Sequence, residues 1–320
     1  MYTTEYLLNY INKAINEISY SNKPEGLYAP IKYTLDGGGK RIRPVLTLAV
    51  CDALGVDIAQ AINQALGIEI YHNFTLLHDD VMDKADMRRG RPTVHIKWNE
   101  ETAILSGDAM LTMASQYACI NAGDKIAQVM ELFNRTAMEV YEGQQYDMDF
   151  ESRNDVTVEE YLNMICLKTS VLLGCACEMG ALMAGASDEV KDAFYKYGVK
   201  LGLAFQLQDD YLDTYGDPVV FGKKIGGDIL NDKKTWLLIS AMAEDKSGRL
   251  QKMIGADIAP EEKIKTVTAI YNELNLAERC HVLIDDYAAD AISELDKIQL
   301  SAEAKSFFVE LAQKSCRRTH

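Results

Sequence analysis

Apolar residues recur at three- and four-residue spacing along most of this chain, the period of α-helices that each bury one stripe. The pattern predicts helices over residues 5–18, 45–54, 58–77, 102–121, 125–146, 158–184, 188–211, 234–242, 260–275 and 276–298. No Val/Ile/Thr-rich run alternates with polar residues between hairpin turns, so no sheet is expected. Pro24, Pro30, Pro44, Pro92, Pro218 and Pro260 fall at or near breaks in the periodicity and leave long stretches free to coil. No linker, low-complexity segment or charge block divides the chain. The expectation is an all-α protein forming a single domain over 1–320.

Composition narrows the class. With 48% apolar residues the 320-residue chain can bury a large core. Its 33 Lys and Arg against 48 Asp and Glu give a net charge of −15, which argues against a general nucleic-acid binder but not against local basic sites for an anionic ligand. The N-terminus lacks a basic segment followed by an apolar core, so no signal peptide is expected. The longest low-charge stretch, 169–186, is broken by Glu178 and reads as a buried helix, so no integral membrane segment is expected. Seven cysteines without framework spacing suggest reduced thiols and a cytoplasmic protein. The Cys175-x-Cys177 side chains diverge on a helix and suit neither metal nor redox chemistry.

Two clusters of one form carry the chemistry: Asp79-Asp80-Val81-Met82-Asp83 and Asp209-Asp210-Tyr211-Leu212-Asp213, about 130 residues apart. Each reads DDxxD. Residues four apart share a helix face, so each cluster points carboxylates in one direction, where they repel unless cations offset them. A single DDxxD is usually a solvated helix end. Two of them, each following an apolar helical lead-in (Leu76-Leu77 and Ala204-Phe205-Gln206-Leu207-Gln208), are harder to dismiss. Facing one another, such clusters would hold hard divalent ions through oxygen while leaving coordination sites for a phosphate-rich substrate.

Cations complement them. Gly37-Gly38-Gly39-Lys40-Arg41-Ile42-Arg43-Pro44 sets three basic residues behind three glycines that allow close backbone approach. Arg88-Arg89 follows the first cluster, and Phe221-Gly222-Lys223-Lys224-Ile225-Gly226-Gly227-Asp228 the second. Arginine forks match diphosphate oxygens bidentately. Acidic sites suited to magnesium beside basic sites suited to a metal-free diphosphate imply two phosphorylated substrates.

Together, GGGKRIRP, DDVMD followed by RRGRP, FQLQDDYLD and GKKIGGDILNDK resemble, in order, the motifs of the trans-isoprenyl diphosphate synthases, the polyprenyl synthetase family. The resemblance covers roughly residues 37 to 235. It implies a bundle of long helices around a deep central cavity, a homodimer, and magnesium, three ions per active site. It also implies that Asp79 and Asp83 are principal metal ligands on one wall and Asp209 on the other, supported by Asp80, Asp210 and Asp213. By the same resemblance Lys40, Arg43, His72 and Arg89 hold the diphosphate of isopentenyl diphosphate. Arg88, Lys168, Lys223 and Lys233 grip that of the allylic substrate (dimethylallyl, geranyl or farnesyl diphosphate). Thr169 and Gln206 match positions that stabilise the allylic cation, and Gly143-Gln144 and Asp147 support that wall. His72 reads equally as a satisfied histidine beside the core.

The implied reaction ionises the allylic carbon–oxygen bond. The isopentenyl double bond attacks and a proton departs, with apolar walls excluding water. No Ser-His-Asp or Cys-His set is evident, and none is required. Tyr71, Phe74 and Thr75 lie eight, five and four residues before Asp79. The first two share a helix face and could floor the product channel. An aromatic with a small Thr75 beside it, and no two-residue insertion in DDVMD, resembles twenty-carbon synthases. Geranylgeranyl diphosphate is therefore the expected product, with farnesyl diphosphate the alternative. A class I terpene cyclase would not need a second diphosphate site, and its second motif normally carries Asn and Ser or Thr. A non-catalytic synthase subunit would not need both intact clusters, and a metal-dependent phosphohydrolase leaves the second cluster and GGGKRIRP unused.

Overall fold

The computed structural model describes residues 1–21, 23–216, 225–256 and 258–316. Helices start where short polar side chains can take the first free N–H groups. The Thr3 hydroxyl accepts from Tyr6 and opens α1 (Thr4–Asn16). There follow α2 (Glu25–Leu35), α3 (Ile42–Ala53), α4 (Ile62–Met82), a two-residue ladder β1 (Met87–Arg88) and β2 (Arg91–Pro92), and α5 (Val94–Lys97). Asn99 caps α6 (Glu100–Cys119), which precedes α7 (Ile126–Glu151). A reciprocal Thr157–Glu160 capping box opens α8 (Val158–Ile165). The chain continues through α9 (Val171–Met183), α10 (Asp188–Tyr215), α11 (Gly227–Leu230), α12 (Trp236–Glu244), α13 (Pro260–Glu273), α14 (Leu276–Leu295) and α15 (Ala302–Cys316). The architecture is all-α, as expected.

Two compact units divide the described residues. The first comprises Met1–Arg135 and Cys175–Phe194, the second Thr136–Gly174 and the described residues from Tyr195 on. In the first, α4 is buried from Gln64 to Tyr71 and packs along α6. A side chain at Gly67 would come within 2.8 Å of the Ala114 carbonyl, so the two backbones touch there. Gly180 gives α9 the same close approach to α3, where the Thr47 hydroxyl donates to the Ala176 carbonyl at 2.9 Å. In the second unit a core of Tyr161, Leu207, Leu237, Ile270, Tyr271 and Ile284 joins α8, α10, α12, α13 and α14. The stretch Val158–Met183 is long and apolar enough to cross a membrane, but 72% of its apolar 18-residue window is buried inside the protein, the buried-helix reading of the sequence.

Four local differences from the expected elements matter. Helix α2 was masked by Pro30, which gives up a bond to the carbonyl four residues back; buried Ile31 and Leu35 hold it in place. Helix α15 lies beyond the last expected element. The helix expected over 158–184 is two, joined by a π-type turn at Cys166–Ser170. Finally, α4 and α10 outrun the apolar periodicity and carry both aspartate clusters in their last turns.

Candidate active site

In the first unit α4 presents two functional faces. His72 and Asp79, two turns apart, share one. Asn73, Leu77 and Asp80 share the other and line a pocket together with Arg88 and Arg89. Asp79 is half-buried, and exposed Asp83 closes the helix with its N–H on the Asp79 carbonyl at 2.8 Å. Asp80 differs: it is 5% exposed and accepts from Arg88 Nε at 2.7 Å. Burial raises the Asp80 pKa, with the Arg88 guanidinium opposing. The pair therefore ties Arg88 to the last turn of α4.

Arg88 and Arg91 pair across a two-residue hairpin loop whose Arg89 and Gly90 both have positive φ, +52° and +71°. That is the type I′ pattern, and arginine is an uncommon residue for its first central position. The conformation carries Arg89 back onto the glycine loop, where it donates to the Gly38 carbonyl and, at 3.4 Å, to Asn73 Oδ1. Gly39 has a φ of +135°, a backbone conformation that favours glycine, and the Arg89 guanidinium lies 2.9 Å from where its Cβ would be. Lys40 is exposed on the same loop, and Arg43 donates to His72 Nε2 at 3.2 Å. Lys40, Arg43, His72 and Arg89 thus belong to one basic corner of the first unit.

Since a guanidinium can only donate, His72 Nε2 accepts and its ring is neutral with the proton on Nδ1. Burial first, then the charges of Arg43, Arg89, Arg88 and Arg41, press its pKa well below the usual range. An unfolded chain takes up a proton at this residue below about pH 6.5 while the folded one resists. The contribution to stability is therefore full above that pH and is lost on acidification. Between pH 7.5 and 5.5 the urea midpoint is expected to fall more for the wild type than for His72→Gln; parallel curves would refute the assignment.

The expected chain-length residues are inside the first unit. Tyr71 and Phe74 are 1% and 5% exposed, their ring centroids 5.5 Å apart. Phe74 meets the His78 ring edge-on at 4.8 Å, and Tyr71 meets Phe133 of α7 at 5.4 Å. His78 fits only because Gly107 of α6 has no side chain; a Cβ there would lie 2.2 Å from its Nε2. Thr75 turns its hydroxyl back to the His72 carbonyl at 2.9 Å.

In the second unit α10 ends in Asp209, Asp210 and Asp213. Asp209 is half-buried, whereas Asp210 is 5% exposed and accepts from the Tyr161 hydroxyl at 2.5 Å and Gln206 Nε2 at 3.0 Å. The Thr169 hydroxyl donates to Gln206 Oε1 at 3.2 Å, so Thr169, Gln206 and Asp210 form a directed chain. Lys168 and Thr169 are offered by the π-type turn, and Lys168 pairs with Asp147 at 2.5 Å. A side chain at Gly143 would strike the Lys168 backbone N at 2.2 Å, which explains the small residue beside that turn. Asp213 accepts from the Asp228 N–H at 2.8 Å. Lys233 approaches Asp228 at 3.7 Å; desolvation opposes its charge, but Asp210, Asp228, Asp147 and Asp213 outweigh it and raise its pKa. Lys223 lies outside the described residues. Tyr161 and Asp228 were not singled out from the sequence: Tyr161 carries no motif, and Asp228 sat unremarked within GKKIGGD.

These donors suit magnesium. Among the described residues no three His, Cys, Asp or Glu side chains form a ready-made cage, but this ion keeps several waters and takes only one or two carboxylates beside substrate phosphates. Burial pushes the Asp228 carboxyl up to about 7, with Lys233 opposing and Asp210 and Asp213 adding to the rise. Crowded acids of this kind are relieved by a divalent cation.

Comparison with known proteins agrees with this chemistry. The polyprenyl synthetase family model matches residues 24–273. A geranylgeranyl diphosphate synthase of Methanosarcina mazei is 36% identical over 306 residues, covering 95% of this chain and 93% of that protein. A short chain isoprenyl diphosphate synthase of Methanocaldococcus jannaschii is 40% identical over 267 residues, 82% of this chain and 81% of that protein. A crystal structure of a geranylgeranyl pyrophosphate synthase superposes with a TM-score of 0.96 at 43% identity, covering 99% of both chains.

Proposed function

The chain belongs to the polyprenyl synthetase family and is a trans-isoprenyl diphosphate synthase, and from that premise we propose that it condenses isopentenyl diphosphate with allylic diphosphates up to geranylgeranyl diphosphate. The observation that carries the product length is Phe74, buried five residues before Asp79 with its ring against Tyr71 and His78. A closed aromatic column at that depth stops an elongating chain, while small Thr75 leaves room beside it.

In this reading Asp79, Asp83 and Asp209 are the principal magnesium ligands, for three ions per active site, with Asp213 in support. Bound magnesium would supply Lewis-acid withdrawal of electrons from the allylic diphosphate. Arg88, Lys168, Lys223 and Lys233 bind that diphosphate and stabilise the charge it gains on leaving. Thr169 and Gln206 turn oxygen dipoles, ordered by Asp210, toward the allylic cation. Lys40, Arg43, His72 and Arg89 hold isopentenyl diphosphate, whose proton passes to the departing diphosphate. Asp80 and Asp210 act by fixing Arg88 and Gln206 respectively. The whole chain, 1–320, serves as one prenyltransferase domain in the cytoplasm, where its free thiols stay reduced. A second copy covers Ile104 and Leu105 of α6, which are 47% and 60% exposed.

The test is to incubate the purified protein with magnesium, isopentenyl diphosphate and each allylic primer in turn, and to resolve the products by chain length. A twenty-carbon end product is expected from every primer. Termination at fifteen carbons would overturn the product assignment, and no incorporation of isopentenyl diphosphate would overturn the elongating role.

A further inference from the structure

Behind the basic corner lies a network that reaches Arg89. Arg41 and Glu69 have side chains only 2% and 3% exposed and pair at 2.5 Å. Arg41 also donates to the Leu35 carbonyl at 2.6 Å, at the end of α2. Asn73 gives both amide hydrogens to Glu69, one to its backbone carbonyl and one to Oε1, each at 2.8 Å. Asn73 Oδ1 then receives Arg89 from the hairpin at 3.4 Å. Four segments meet here: the end of α2, the glycine loop, the middle of α4, and the hairpin.

This arrangement is poorly explained as a stability device. A buried ion pair costs desolvation on both sides, and apolar residues of like volume usually hold a fold as well or better. Arg41 Nε is buried without a partner, and Arg41 adopts a left-handed φ of +48° that a side chain resists. What the network does fix is geometry. It clamps Arg41, next to Lys40 and two residues before Arg43, against α4, and the same α4 turn supports Arg89.

We propose that Arg41, Glu69 and Asn73 are positioning residues that set Lys40 and Arg43 on the loop against Arg89 on the hairpin at the spacing of one diphosphate. The inference rests on the reading of that corner as the isopentenyl diphosphate site. Arg88, on the allylic side, is oriented separately by Asp80. The network therefore governs affinity for isopentenyl diphosphate and leaves the allylic substrate alone.

The test separates stability from positioning. In Arg41→Met/Glu69→Leu the buried charges leave together, so the fold is retained, but the clamp is gone. The expected result is a thermal midpoint near wild type, a KM for isopentenyl diphosphate raised about tenfold, and an allylic KM within about twofold. Asn73→Ala, which keeps the ion pair and frees Arg89, should show the same split more weakly, and it decides the matter if the double variant does not fold. Calorimetric titration with isopentenyl diphosphate should show the same loss in the absence of turnover. Wild-type kinetics in folded variants, or equal rises in both KM values, would overturn the proposal. A wild-type protein that does not bind isopentenyl diphosphate would instead overturn the functional reading beneath it.

Discussion

Asp79→Ala is expected to lower kcat by about 10³-fold while melting close to the wild-type temperature. A metal that neutralises a developing diphosphate charge is worth several kcal/mol, and each 1.36 kcal/mol is tenfold in rate. Stability is spared because Asp79 is half-buried in the last turn of α4, where a negative charge opposes the helix dipole. Asp209→Ala, at the end of α10, should behave alike. Asp80→Ala gives the opposite pattern, losing stability as well as rate, because it leaves the Arg88 guanidinium without its buried carboxylate. Steady-state kinetics with a magnesium titration, beside a melting curve, distinguish the two classes. Undiminished turnover in both Asp79→Ala and Asp209→Ala would refute the metal assignment.

Phe74→Ala is expected to lengthen the product by at least one isoprene unit. Removing a ring that is 5% exposed opens the column between Tyr71 and His78, in line with the chain leading away from Asp79. It also costs about 3–5 kcal/mol through the cavity left behind, a large part of the stability of a typical domain. Phe74→Leu fills more of the space and should give a milder loss with a mixed product. Mass spectrometry of dephosphorylated products reads both variants. An unchanged chain length in folded Phe74→Ala would sink the floor assignment.

Residue types were legible early where chemistry restricts them. Carboxylates four apart, glycines before cations and paired arginines have few substitutes in diphosphate chemistry, and they are local in the chain. The physical cause of their division of labour was not legible. Asp79 and Asp80 are adjacent and chemically identical, yet one helical step of about 100° turns the second into the packed face beside Arg88. Asp210 is set apart from Asp209 in the same way by Tyr161 and Gln206. Arg88 and Arg89 diverge because a hairpin turn falls between them. The π-type turn that presents Lys168 and Thr169 left no mark on the periodicity, since one extra residue in a turn disturbs an apolar pattern less than a proline does.

By itself the sequence determined the all-α class, the positions of the aspartate clusters near helix ends, and the kinds of ligand they suit. These follow from the apolar period and from the charge of neighbouring residues, both written in consecutive positions. Tertiary structure decided which aspartates are buried anchors, why His72 stays neutral among arginines, and how Arg41, Glu69 and Asn73 clamp the glycine loop to α4. Those properties depend on desolvation and on partners up to tens of residues away. They come into being only when packed helices exclude water from the charges they bring together.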